Sequence, residues 1–77
     1  MKYVIAKKEL VYRAPKEAGR KGSNQERTRY YSHLMDGSRA ILTYRGGAAE
    51  FDTRELADTV CGQLTQLCGA GFHVEPA

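Results

Sequence analysis

Phe51-Asp52-Thr53-Arg54-Glu55-Leu56 most constrains what this chain can fold into, because it reads as a complete helix start. With Asp52 as N-cap, Glu55 falls at N3, where its carboxylate can reach back to the N–H of the cap. Phe51 at N′ and Leu56 at N4 then occupy the two positions of a hydrophobic staple. Beyond this corner, Leu56, Val60, Leu64 and Leu67 recur at helical spacing beside Ala57, Cys61 and Cys68. Arg54, Glu55, Asp58, Gln63 and Gln66 fall mostly on the other side. The spacing predicts a helix from about Thr53 to Cys68, stopped by Gly69 at C′. Phe72 to Glu75 is expected as a last strand whose ladder ends at Pro76.

Ahead of the helix the period changes from 3.6 to 2. Lys2 to Arg13 carries apolar residues on both parities, Val4, Ala6, Leu10 and Tyr12 on one and Tyr3, Ile5 and Val11 on the other. That pattern reads as a central strand, with a bulge expected near Lys7-Lys8. Residues 14–27 are basic and rich in turn formers, so they are expected as a long flexible loop. Thr28 to Met35 and Ser38 to Arg45 read as a hairpin closed by Asp36-Gly37, a dipeptide suited to the positive φ angles of a type I′ turn. This turn predicts Met35, His33, Tyr31 and Arg29 opposite Ser38, Ala40, Leu42 and Tyr44, on the face that meets the helix. Leu34, Arg39, Ser32, Ile41, Tyr30, Thr43, Thr28 and Arg45 are then expected on the outer face. The fold class is α+β, in the order β-β-β-α-β: a three- to four-stranded, mainly antiparallel sheet with one α-helix packed on one face.

Seventy-seven residues form one domain with a thin core, burying about 60–65% of the unfolded surface. Function is therefore expected on a surface rather than in a deep pocket. The apolar stretch near Met1 is too short for a signal peptide and no run approaches a membrane span, so the cytoplasm is the expected location. Cys61 and Cys68 stand about 10 Å apart along one helix, too far to bridge, and are expected reduced. Formal charge is +3 but unevenly spread. Residues 7–29 hold eight basic and three acidic side chains, whereas residues 30–77 hold three basic and six acidic ones.

Nothing in the chain assembles catalysis. His33 and His73 lie on different expected strands, each without a sequence-local carboxylate or nucleophile, and the carboxylates of Asp52 and Glu55 are accounted for by capping. Metal-ligand spacings such as CxxC or HxxxH are missing, as are phosphate-binding glycine loops, so no metal or cofactor is expected. The one constellation that carries chemistry is basic and aromatic: Arg20, Lys21, Arg27, Arg29, Arg39 and Arg45, with Tyr30 and Ile41 on the outer hairpin face. Arginine supplies charge and stacking, and a tyrosine ring supplies a platform for a base or a side chain.

From Tyr30-Tyr31 through Asp36-Gly37 to Phe51, Thr53, Glu55 and then Val74-Glu75-Pro76, the last fifty residues or so resemble small phage and prophage proteins. Some proteins of that kind inhibit host defence, anti-CRISPR proteins among them. The resemblance implies a non-catalytic accessory protein that occludes a host protein or ribonucleoprotein. The same stretch is similar to the sheet-plus-helix DNA-binding domains of AP2-like and integrase arm-binding type. That likeness implies nucleic-acid contact near Arg29, Arg39, Thr43 and Arg45. The basic insertion at residues 14–27 belongs to neither pattern, and a strand after the helix departs from the integrase type. Two further readings stand beside the inhibitor: a nucleic-acid-binding module, and a self-associating protein that forms a homodimer through its sheet edge.

Overall fold

The computed structural model describes residues 1–15 and 18–77. Four strands, β1 (Tyr3–Arg13), β2 (Ser23–Met35), β3 (Arg39–Thr43) and β4 (Phe72–Pro76), form one antiparallel sheet in the order β3-β2-β1-β4. One helix, α1 (Arg54–Cys68), packs on one face, and a short 3₁₀ turn at Arg45–Gly47 joins β3 to the segment that leads into it. The α+β class and element order match the expectation.

β1 is straight, with an unbroken register from Ala6↔Tyr30 to Arg13↔Ser23, so the bulge expected near Lys7-Lys8 is not there. The irregularity lies in β2 instead, at Ser32, where the register shifts between Tyr31 and His33. Its cause is the turn. Asp36 and Gly37 adopt positive φ (55° and 75°), and the Ser38 N–H donates to the Met35 carbonyl at 3.3 Å. The ladder nevertheless closes on Met35↔Arg39, which leaves Ser38 as an extra residue, and Ser32 on the other strand compensates. Tyr31↔Leu42 therefore pairs as expected, whereas His33 now opposes Ile41 and Leu34 opposes Ala40. A one-residue slip exchanges the two faces of a strand. Leu34 consequently packs on the core rather than outside. By strand parity, His33 and Met35 turn outward.

The helix start is also displaced by one residue. Thr53, not Asp52, is the N-cap: its φ and ψ are extended (−130°, 152°), and its hydroxyl accepts the Leu56 N–H at 3.1 Å. Threonine competes well for this position, and Asp52 is occupied by an ion pair with Lys2. Glu55 then sits at N2, where its charge favours the helix dipole but cannot close a capping box. Leu56 is 54% exposed and staples nothing, while Phe51 joins the core. The buried stripe is Ala57, Val60, Cys61 and Leu64, rotated slightly from the leucine-centred one. Gly69 ends the helix at φ 94°, its N–H donating to the Thr65 carbonyl at 3.0 Å.

Ile5, Tyr31 and Leu64 form the centre of the core, with Phe51, Phe72, Val74, Ala49, Leu34 and Ala40 around them. Ala49 and Phe51 arrive there by an unusual route. Beyond Ala6↔Tyr30 the strands β1 and β2 part, and residues 49–51 lie between them. The Ala49 N–H donates to the Tyr31 carbonyl at 2.9 Å, and Phe51 exchanges both backbone hydrogen bonds with Tyr3 at 2.8 and 2.9 Å. On the outer face, Arg45 stacks over the Tyr30 ring (5.7 Å to its centroid) and donates to the Pro76 carbonyl at 2.9 Å. The chain thus crosses the outer face after β3 and passes through the open end of the sheet to reach α1.

The strands differ greatly in length, and this sets the shape. β4 stops at Lys7↔Phe72 and β3 at Tyr30↔Thr43, so among the described residues the strands β1 and β2 pair only with each other from Lys8↔Thr28 to Arg13↔Ser23. Six residues at ~3.3 Å give a two-stranded arm of about 20 Å projecting from the body. The radius of gyration is 14.9 Å, against about 11.5 Å for a compact chain of this length, and the extents are 49 × 26 × 17 Å. Residues 23–27, expected within a loop, belong to this arm.

Candidate functional site: the projecting arm

Residues 8–28 hold six basic and three acidic side chains, a formal +3, and the rest of the chain sums to zero. Within the arm the charge is graded. Near its base, Lys8 pairs with Glu26 (3.5 Å) and Arg27 with Glu9 (3.5 Å), so the ladder there is neutral. In sequence, residues 13–21 hold Arg13, Lys16, Arg20 and Lys21 against Glu17, and this stretch carries the entire net charge of the protein. Lys16 and Glu17 lie outside the described residues.

Two faces of the arm follow from strand alternation. Leu10 and Tyr12 share one with Lys8, Asn24 and Glu26, and they are strongly exposed at 76% and 63%. The ring of Tyr12 lies over Gly22, filling the space a Cβ there would need. A side chain at residue 22 would push the ring aside, so glycine at this position lets the tyrosine fold down against the tip. The opposite face carries Glu9, Val11 and Arg13 with Ser23, Gln25 and Arg27.

The eight residues expected to form one patch are separated by this geometry. Arg20 and Lys21 lie in the tip loop and Arg27 lies on the arm, where Glu9 neutralises it. Arg29 shares a face with Tyr31 and Lys7, the helix-covered one, and donates to the Leu42 carbonyl at 2.7 Å. Tyr30 is half-buried beneath Arg45, whose guanidinium is committed to the Pro76 carbonyl. Arg39 and Ile41 remain on the outer face near the Asp36-Gly37 turn, at the end of the sheet away from the arm. Arg29, Tyr30 and Arg45 are therefore engaged in contacts within the chain.

Compared with protein-family models, curated proteins and solved structures, the chain matches none.

The arm residues Lys8, Leu10, Tyr12 and Arg13 were not singled out from the sequence. Their signal is present in Lys8-Glu9-Leu10-Val11-Tyr12-Arg13, where apolar and charged residues share both faces as in a strand with no buried side.

Elsewhere the titratable groups are arranged for packing. Burial pushes the Cys61 thiol up, with a smaller contribution from Asp58. Burial likewise raises the Tyr31 phenol, helped by Cys68. Cys68 donates to the Ser38 carbonyl at 3.5 Å, tying the helix end to the hairpin turn. Hydrogen bonding and charge from Asp52 raise Lys2, and the same contact lowers Asp52. Each histidine does have a local partner: His73 Nε2 lies 3.0 Å from Glu75 Oε1, and His33 Nδ1 lies 3.1 Å from Ser32 Oγ. His73 and Glu75, two apart on one strand, share a face, which the sequence reading overlooked. No three metal-ligating side chains come together among the described residues, and no described helix is long and apolar enough to cross a membrane.

Proposed function

We propose that this is a non-catalytic binding module that engages nucleic acid through the tip of its arm. One observation carries the reading: the whole net charge of the protein sits at the end of a two-stranded ribbon that projects clear of the body. A two-stranded ribbon is narrow enough for the major groove, and Arg and Lys at its end would meet phosphates on either side. Arg13, Arg20 and Lys21 supply the charge, and Tyr12 beside Gly22 supplies a ring on which a base can stack. The reading puts the protein in the cytoplasm, where nucleic acid is accessible.

Titration of a short labelled duplex, followed by fluorescence anisotropy, tests this. With three phosphate contacts, affinity should fall about fortyfold between roughly 50 and 200 mM salt. The double substitution R20E/K21E should abolish binding, whereas R39E should leave it unchanged. Absence of binding at low salt, or retention of full affinity by R20E/K21E, would exclude the reading.

A second reading is occlusion of an acidic protein surface, the inhibitor mechanism that the phage resemblance implies. It is favoured by the neutral base of the arm, where Lys8–Glu26 and Arg27–Glu9 leave little charge to follow an extended phosphate backbone. This reading predicts one stoichiometric protein partner, lost with R20E/K21E, and no affinity for duplex at low salt.

A further inference from the structure

Beyond Lys7 the outer edge of β1 pairs with no strand among the described residues, because β4 begins its pairing there, at Phe72. The direction of the backbone groups along this edge follows from the observed bonds. The Lys2 carbonyl accepts from Ala77 on the β4 side, while Tyr3 bonds to Phe51 on the side of β2. Alternation along an antiparallel strand then sends the N–H and C=O of even-numbered residues toward the β4 side. Past the end of β4, those of Lys8, Leu10 and Tyr12 face outward, with no strand among the described residues to receive them. An unpaired edge of this length, bearing two strongly exposed apolar side chains, is a template for another strand.

We infer that the occupant is a second copy of this chain, with the two β1 edges pairing antiparallel about a twofold axis through Val11. Pairing must bring even-numbered residues opposite even-numbered ones. Near the middle of the free edge, this leaves registers centred on Leu10, Val11 or Tyr12. Centring on Leu10 opposes Lys8 to Tyr12 and Glu9 to Val11; centring on Tyr12 opposes Leu10 to Ala14 and Val11 to Arg13. The Val11 register is the most complementary of the three, with Lys8 opposite Ala14 as its one neutral pairing. It places Leu10 opposite the partner's Tyr12 on one face and Glu9 opposite the partner's Arg13 on the other, each contact occurring twice by symmetry. Its paired segment runs from Lys8 to Ala14, beginning just where β4 ends, so the two copies fit edge to edge with their bodies at opposite ends. Glu9 would then lie between its own Arg27 and the partner's Arg13. The dimer brings Leu10 and Tyr12 together and engages Arg13, two of which the nucleic-acid reading also uses, and leaves Arg20 and Lys21 outside the paired segment. It does not depend on that reading.

The test uses the full chain without nucleic acid. Sedimentation velocity over a wide concentration range should show a reversible dimer. The substitution R13E, which sets like charges opposite each other twice, should raise the dimer dissociation constant about tenfold. Combining it with E9R and R27E, which makes every pair opposite in sign again, should restore association. Register is read independently by cysteine cross-linking. Val11→Cys should form an interchain disulfide readily, identified by mass spectrometry of the digested dimer, because directly opposed residues of this type come within bonding range. Leu10→Cys and Tyr12→Cys should cross-link poorly. Hydrogen exchange on the unmodified protein should show the Leu10 and Tyr12 amides protected at high concentration and fast on dilution. A monomer at every concentration would overturn the proposal. So would cross-linking strongest at residue 10 or 12, or Leu10 and Tyr12 amides that exchange fast regardless of concentration.

Discussion

Thr53 and Asp52 stand side by side at the start of α1, and their substitutions separate capping from ion pairing. Thr53→Ala removes the oxygen that accepts the Leu56 N–H and should cost about 1 kcal/mol in urea unfolding. Asp52→Ala removes only an exposed pair with Lys2 and should leave the urea midpoint nearly unchanged. Were Asp52 the cap, the two results would be reversed. Leu64 is fully buried at the centre of a small core, so Leu64→Ala should cost about 2–5 kcal/mol and leave much of the chain unfolded. Alkaline pH tests the other side of burial. Cys61 and Tyr31 are acids whose folded-state pKa values are raised above 9.0 and 10.0, so the unfolded chain gives up these protons first. Unfolding is then favoured as pH rises past those values, and Tm should fall above about pH 9. Cys61→Ala should make that decline shallower. A decline of equal steepness in Cys61→Ala would show that the thiol does not contribute.

β2 shows which parts of an element a sequence makes legible. Its lower half could be read because Tyr31 and Leu42 alternate against a core, and Asp36-Gly37 announces its turn. Two details were hidden. Ser38 extends the turn and Ser32 absorbs the extra residue, a compensation between two small polar residues that leaves no mark in the hydrophobic pattern. Ser23 to Arg27 is strand although it looks like loop, because neither face is buried and alternation has nothing to report. The expected patch is divided for a different reason. Arg29, Tyr30 and Arg45 looked like a patch on the hairpin, but backbone carbonyls of Leu42 and Pro76, unseen in sequence, take both arginines. The bulge has a measurable consequence. Deleting Ser32 should make Tyr31↔Leu42 and His33↔Ile41 successive pairs of a regular ladder and keep Leu34 on the core face. Urea titration should then show a loss well below the about 2 kcal/mol of exposing one leucine, and a loss of that size would show that Ser32 does not compensate for the turn.

The whole molecule divides into a body that holds the core and an arm that holds the charge. Replacing residues 8–28 with a two-residue Asn-Gly turn should leave the body folded, because the core residues Ile5, Tyr31 and Leu64 all lie outside the deleted segment. Circular dichroism should report retained helix, while duplex binding and self-association should both vanish. The passage of residues 49–51 between β1 and β2 has a consequence of another kind, in the order of folding. Along the arm, Arg13 finds Ser23 only ten residues away. At the other end of the same strand, Tyr3 must wait for Phe51, 48 residues on, and for Pro76, 73 residues on. Closing the longer loops costs more entropy, and the sheet cannot zip shut past Ala6↔Tyr30 without excluding the segment that must enter there. The ribbon is thus expected to nucleate early and the body to close late around its inserted segment. In a φ-value series, Val11 should score higher than Phe51, so that the least buried part of the protein is the first to reach its native pairing.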